Sequence, residues 1–307
     1  MRGTFGIIEN LLALLSCARK IRSVNTNNAL TVAEILVRYQ AECLPDLAPR
    51  TRKDYVRHIA HLKRIFGHYI ADDMVPKDFA EFLGNGGKRR GQIQKVRQLA
   101  VLSAAFTQAV SYWFIMKRNP LRDVKRPKTK PRDRLIQQPE FDGVVAIANI
   151  PQVRLMMRLA LKIGQRQGDL LNLKWSDIKD NEIHIYQSKT GKRLAIMIDK
   201  DLESILDECW MLKYGGHAGG EYVITRSKRR GGRYTSEGFR ATWQRTMRKW
   251  MKSGGENFHF HDIRALCATR CATPEIAMRL LGHSTLQMTT RVYRRGVERV
   301  QCLPGAA

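Results

Sequence analysis

The sequence predicts two domains of different class, an α-helical one in roughly the first 118 residues and a mixed α/β one, mainly helical, from about residue 135. Three observations predict this. Apolar residues in the first part recur three and four positions apart, the period of one helix face. In the second part, Ile183 to Tyr186 and Leu194 to Ile198 alternate apolar and polar residues about a Thr190-Gly191 turn, as the strands of a hairpin do. Between them, residues 118 to 134 read RNPLRDVKRPKTKPRDR, with three prolines, eight basic residues and almost nothing to bury.

Taken in order, residues 1 to 29 form an N-terminal extension. Thr31 followed by Glu34 is a capping-box pattern that opens a helix reaching about Leu44, where Pro45 and Pro49 break the chain. Tyr55, Ile59, Leu62, Ile65 and Phe66 share one face of a second helix. Pro76 starts a third, and the segment Gly84 to Gly91, with Lys88, Arg89 and Arg90, reads as a basic loop. A long fourth helix turns Val96, Leu99, Leu102, Phe106 and Val110 inward and ends before Asn119-Pro120. These elements make a domain over 30–118, joined by a linker over 119–134 to a second domain over 135–300, with a tail over 301–307. In the second domain, helices are expected over 138–149 and 151–163 and from Gly168 through Leu173, and the hairpin follows. Ser236 caps a helix to about Met251. Thr273-Pro274-Glu275 opens another that Gly282 closes, and Ser284 and Thr285 begin a last helix with Tyr293 near its end.

Composition narrows the partners. Lys and Arg number 54 against 28 Asp and Glu, a formal charge of +26, which calls for a polyanion, and nucleic acid is the natural one because bound phosphates release condensed counterions. A membrane is disfavoured, since the apolar run Leu11 to Leu15 is far below the ~20 residues of a span. The positive charges Arg19, Lys20 and Arg22 follow that run instead of preceding it, so the extension does not read as a secretory signal, and a cytoplasmic location is expected. Six cysteines scattered without a C-x-x-C pair read as reduced thiols.

Six positions in the second domain carry chemistry together. Arg166 sits in IGQRQGDLLNLKWSDI, with Asp169 three residues on. Lys189 lies in the turn QSKTGK. His261 and Arg264 stand one helical turn apart in HDIR, His283 closes LLGHS, and Tyr293 follows ten residues later in MTTRVYRR. In this order they resemble the tyrosine recombinases of the phage-integrase kind, whose pattern is an arginine before an acidic-Leu-Leu run, a hairpin lysine, His-x-x-Arg, Leu-Gly-His and a tyrosine about one helix beyond.

The resemblance implies a helical, SAM-like core-binding domain and a tyrosine recombinase catalytic domain that close on duplex DNA. It also implies strand cleavage and rejoining through a 3′-phosphotyrosine, to integrate or excise a phage or other mobile element. Attack on a phosphodiester loads negative charge onto two non-bridging oxygens, which two guanidinium forks grip well. Arg166 and Arg264 would form that clamp, His261 is the candidate base for the nucleophile Tyr293, and His283 would bond a phosphate oxygen. Lys189 would protonate the departing 5′ oxygen, and Asp169 would buttress Arg166 or its helix. Because the covalent adduct keeps the energy of the broken bond, no metal, ATP or other cofactor is expected. The absence of a G-x-x-x-x-G-K-[ST] loop and of a carboxylate cluster agrees. Phosphate contacts are expected from Lys88, Arg89, Arg90, Lys125, Arg126, Lys128 and Lys130. The partners implied are double-stranded DNA with a specific core site, a homotetramer assembled through dimers, and DNA-bending accessory proteins. The tail beyond Tyr293, with Val297, Val300, Cys302 and Leu303, would pack on a neighbouring protomer.

Two features depart from the family pattern. The segment from Arg264 to Leu-Gly-His is about one turn short, and Ala265 stands where a second histidine or another polar residue is frequent. The 29 leading residues are also too few for the small arm-binding domain common in such integrases, so a simple core-site recombinase, or one without that domain, is expected. Three other readings compete. One is a non-catalytic DNA-binding derivative, and another is a type IB topoisomerase-like relaxing enzyme. The third is a zinc site from His259, His261, Cys267, Cys271 and His283, whose spacing matches no familiar finger.

Overall fold

The computed structural model describes residues 30–84, 89–127, 134–214, 220–226 and 232–294 of the 307-residue chain. The chain divides into two compact units, 1–130 and 131–307.

In the first unit, α1 (Val32–Glu42) opens with the capping box, Thr31 accepting from the Glu34 amide while the Glu34 carboxylate accepts from the Thr31 amide. Helix α2 (Pro49–Phe66) follows with a proline in its first turn, then α3 (Pro76–Gly84) and the long α4 (Arg89–Ser111). Their apolar faces meet in one core around Ile35, Leu36, Ile59, Leu62, Phe79, Leu99, Leu102 and Phe106, all at most 1% exposed. The expected basic loop is shorter than its sequence suggests, because Gly84 ends α3 and Arg89 already begins α4.

The expected linker also changes character. Leu121 and Val124 are buried in the first unit's core, and the turn Pro120–Arg122 is capped by the Asn119 side chain, which also donates to the Ser103 carbonyl and the Thr107 hydroxyl at 2.9 Å. Two apolar residues hidden among eight cations were enough to anchor residues 119–124 to that core, while Arg122 and Asp123 stay exposed.

The second unit is built on α5 (Gln138–Ile147) and α6 (Pro151–Ile163), followed by the short α7 (Gln167–Asn172). A three-stranded antiparallel sheet follows in the order β1 (Ile178–Lys179), β2 (Glu182–Tyr186) and β3 (Arg193–Met197), with Ile183 opposite Ile196 and Tyr186 opposite Arg193. Helix α8 (Lys200–Tyr214), which the sequence reading left out, packs on α6. Then come α9 (Ser236–Lys252), capped by Thr235 where Ser236 was expected, α10 (Asp262–Arg270) and α11 (Pro274–Leu281). The last element is not a plain helix. Thr285 caps one short turn, Leu286–Met288, which widens into a π-helical turn over Thr289–Tyr293. The described cysteines, Cys43, Cys209, Cys267 and Cys271, are free thiols.

Candidate active site

Two helix C-termini build the centre of the site. Helices α6 and α11 each end on a glycine in the left-handed region, Gly164 at φ 64° and Gly282 at φ 67°, which turns the chain and leaves terminal carbonyls without helical partners. Between them lies Arg264, only 1% exposed and projecting from the first turn of α10. Its Nη1 donates to the Gly164 carbonyl, and its Nη2 donates to the Leu281 carbonyl at 2.7 Å and to Nε2 of His283 at 3.1 Å. Negative helix ends are suited to a buried cation. Burial first, and the positive Arg166 second, bring the Arg264 guanidinium down to about 10, which still leaves it charged at neutral pH.

That geometry fixes the state of His283. A guanidinium can only donate, so Nε2 accepts, and Nδ1 carries the proton toward the Thr289 hydroxyl 2.8 Å away. The ring is 3% exposed, and burial, followed by Arg264 and Arg166, lowers its pKa to about 4. His283 is therefore neutral and occupied on both nitrogens. This is a different arrangement from the phosphate contact expected of it, and in this state it orients Arg264.

Tyr293 closes the site. Its ring packs with Ala265, Ala268, Ala277 and Leu281, lies 4.6 Å from the His283 ring centroid and has the Arg264 guanidinium carbon 5.3 Å from its own centroid. Although the residue is only 9% exposed, its hydroxyl lies 3.0 Å from Nε2 of His261, an exposed side chain at the cap of α10. Ala265, the departure from the family pattern, belongs to the same small buried cluster as this ring.

Arg166, 18% exposed at its side chain, precedes α7 and donates from Nη1 to Oε1 of Gln187 at 2.9 Å. Asp169 approaches Arg166 only at 3.9 Å. Its stronger bonds are to Ser188, whose amide and hydroxyl donate to Oδ1 at 3.0 and 2.8 Å. The acid expected behind Arg166 thus mainly ties down the root of the hairpin. Lys189, the next residue, is exposed in the turn.

Sequence reading missed Gln187, Gln165 and Thr289. Gln187 is fully buried and joins the Arg166 loop, the hairpin and the end of α11. A signal was available, since Gln187 continues the period-two parity of the buried residues Ile183 and Ile185.

The remaining expected residues lie elsewhere. Lys125 is exposed and Arg126 half-buried beside the first unit's last turn, and Arg89 and Arg90 start α4. Lys88, Lys128, Lys130 and the segment carrying Val297, Val300, Cys302 and Leu303 lie outside the described residues. Among the described residues no three His, Cys, Asp or Glu side chains converge as metal ligands would. Cys271 donates to the Cys267 carbonyl one turn back, while His261 and His283 face Tyr293 and Arg264.

The chain is 27% identical over 287 residues to the integrase of Enterobacteria phage 434, covering 87% of this chain and 77% of that protein. It superimposes on the lambda integrase tetramer bound to a Holliday junction with a TM-score of 0.76 at 26% identity, covering 90% of this chain and 81% of that one. It matches a lambda integrase dimer bound to a COC′ core site equally well, at 27% identity and TM-score 0.76 over 89% of this chain and 99% of that one. The sequence model of the phage integrase family matches residues 140–298, over half of the chain and all six of the positions singled out above, so this chain belongs to the phage integrase family.

Proposed function

We propose that the chain is a site-specific DNA recombinase that cleaves and rejoins strands through Tyr293. The phenolic oxygen bonds to phosphorus, the bond from phosphorus to the 5′ oxygen breaks, and the 5′ oxygen leaves with a proton supplied by Lys189. His261 takes the phenolic proton, while Arg166 and Arg264 hold the non-bridging oxygens. A 5′-hydroxyl from a second duplex then reverses the step, and the bond energy kept in the phosphotyrosine makes ATP and a metal unnecessary. Asp169 holds the lysine hairpin through Ser188.

One observation carries this reading: the Tyr293 hydroxyl sits 3.0 Å from a candidate base, within a cluster that holds two arginines whose charges act on one another. The integrases and DNA-bound structures that the chain resembles support it. By the same likeness, the working form is a homotetramer on two duplexes, assembled through dimers on a core site. Accessory DNA-bending proteins and a cytoplasmic location belong to this proposal. No helix among the described residues is long and apolar enough to cross a membrane. The helical unit at 30–118 would be the core-binding domain, with phosphate contacts from Lys88, Arg89, Arg90, Lys125, Arg126, Lys128 and Lys130.

The test is covalent trapping on a library of nicked duplexes, in buffer without divalent metal, followed by sequencing of the attached DNA. A phosphotyrosine adduct at a defined sequence is expected. Cleavage that needs added magnesium and leaves no adduct would overturn the reading.

A further inference from the structure

We infer that Gln187 is a positioning residue for phosphate capture, a neutral amide that links Arg166 to Arg264 without neutralising either. The inference rests on the strand-transfer reading above.

Two guanidinium groups brought together to grip one phosphate repel each other, and the charge of Arg166 already weighs on Arg264. A carboxylate between them would relieve that repulsion, but it would consume the charge the phosphate needs. Gln187 solves the problem with dipoles. Its Oε1 accepts from Arg166 Nη1 and from the Thr190 hydroxyl, both at 2.9 Å. Its Nε2 donates to the Leu281 carbonyl at 2.9 Å and to Oε1 of Gln165 at 2.8 Å. The Leu281 carbonyl spends its other lone pair on Arg264 Nη2 at 2.7 Å. A hydrogen-bonded chain therefore runs Arg166, Gln187, Leu281 carbonyl, Arg264.

The orientation of the amide is settled by its neighbours, because Arg166 can only donate and the Leu281 carbonyl can only accept. All four hydrogen-bonding positions of the amide are filled and the residue is 0% exposed, so the arrangement is rigid. Space is closed as well. A Cβ at residue 282 would stand 2.6 Å from Gln187 Nε2, so Gly282 is required by the amide as well as by its own φ. The backbone of Gln187 also accepts from the Thr190 and Gly191 amides, so the same residue roots the turn that carries Lys189.

The experiment is a double-mutant cycle on the full chain, using the nicked duplex that wild-type protein attaches to most readily. Gln187→Met keeps length and burial and removes every side-chain hydrogen bond. It is expected to slow phosphotyrosine formation at saturating DNA by about 10- to 100-fold, with DNA affinity within about twofold of wild type. Placed on Arg166→Ala, the same change should cost less than about twofold more, because Gln187 acts through a guanidinium already absent. Wild-type cleavage by the methionine variant, or full additivity in the double mutant, overturns the inference. If the methionine variant does not stay folded, the cycle is run with Gln187→Glu. Its carboxylate occupies the same space and pairs with Arg166, and wild-type cleavage by that variant is equally fatal. Failure of the wild-type protein to form any adduct is a different result, and it removes the strand-transfer reading itself.

Discussion

The Tyr293 hydroxyl lies 3.0 Å from Nε2 of His261, joining the end of a π turn to the cap of a helix 32 residues earlier in the chain. The ring beneath that hydroxyl is held by alanines and by Leu281, so position and reactivity are separable. Tyr293→Phe keeps the packing and loses the bond to His261, and should cost the fold only about 1 kcal/mol. It should abolish covalent adducts on gels while leaving salt-dependent DNA binding within about twofold. Adduct formation equal to wild type would show that another group attacks.

Arg264 and Arg166 should differ sharply in what they do for the fold. Arg264→Ala leaves the Gly164 carbonyl and His283 Nε2 without their buried donor and the Leu281 carbonyl with Gln187 Nε2 in place of two donors. A loss on the order of 3 kcal/mol is expected, or roughly 6–12 °C in melting temperature. Arg166→Ala removes a partly exposed side chain with one strong bond, to Gln187, and should lower the melting temperature by only about a third as much. Both variants should form adducts orders of magnitude more slowly than wild type, Arg166→Ala at a residual rate that long incubations still resolve. Calorimetry beside the trapping assay separates the two effects.

Asp169 accepts twice from Ser188, so its removal should be felt in the hairpin before it is felt at Arg166. In Asp169→Ala the Ser188 amide is expected to exchange with solvent about tenfold faster, a local loss near 1.4 kcal/mol. Cleavage should slow chiefly at the leaving-group step assigned to Lys189. A substrate with sulfur in place of the scissile 5′ oxygen, which leaves without needing a proton, should recover most of the lost rate. No recovery would return Asp169 to the role of supporting Arg166.

How legible these relationships were depended on whether a residue signals by its own chemistry or by its neighbours'. The capping box at Thr31 and Glu34, the Thr273-Pro274 helix start and the glycine stop at Gly282 are local, and each falls where the sequence placed it. The six positions singled out in the second domain were legible as an ordered set, although no single one is unusual. Gln187 was not, since an amide is informative only through what surrounds it, and its partners come from residues 165, 166, 190 and 281. Leu121 and Val124 were masked by the cations beside them, and α8 by an apolar pattern read only as far as the hairpin. The π turn before Tyr293 has no local signature. Its two ends are held by distant residues, Thr289 on His283 and Tyr293 on His261.

His283 gives the site a pH dependence whose sign follows from its surroundings. Its folded pKa, about 4, lies below the ordinary 6.5 because burial and the charges of Arg264 and Arg166 oppose protonation. The unfolded chain therefore binds this proton first as pH falls. The stability contributed by neutral His283 is complete above about pH 6.5, is lost progressively as pH falls toward 4, and totals at most roughly 3 kcal/mol. Protonation would also turn Nε2 from acceptor to donor against Arg264 Nη2, which can only donate, so cleavage by the folded protein should hold until pH nears 4 and fail as pH falls through that value. Nitrogen NMR of the folded protein at pH 6 should find this imidazole neutral with its proton on Nδ1. His283→Gln, whose amide oxygen can still accept from Arg264, should flatten the decline in melting temperature between pH 6.5 and 4. A ring that titrates near 6.5, or a variant with an unchanged pH profile, would show that His283 does not orient Arg264 in this way.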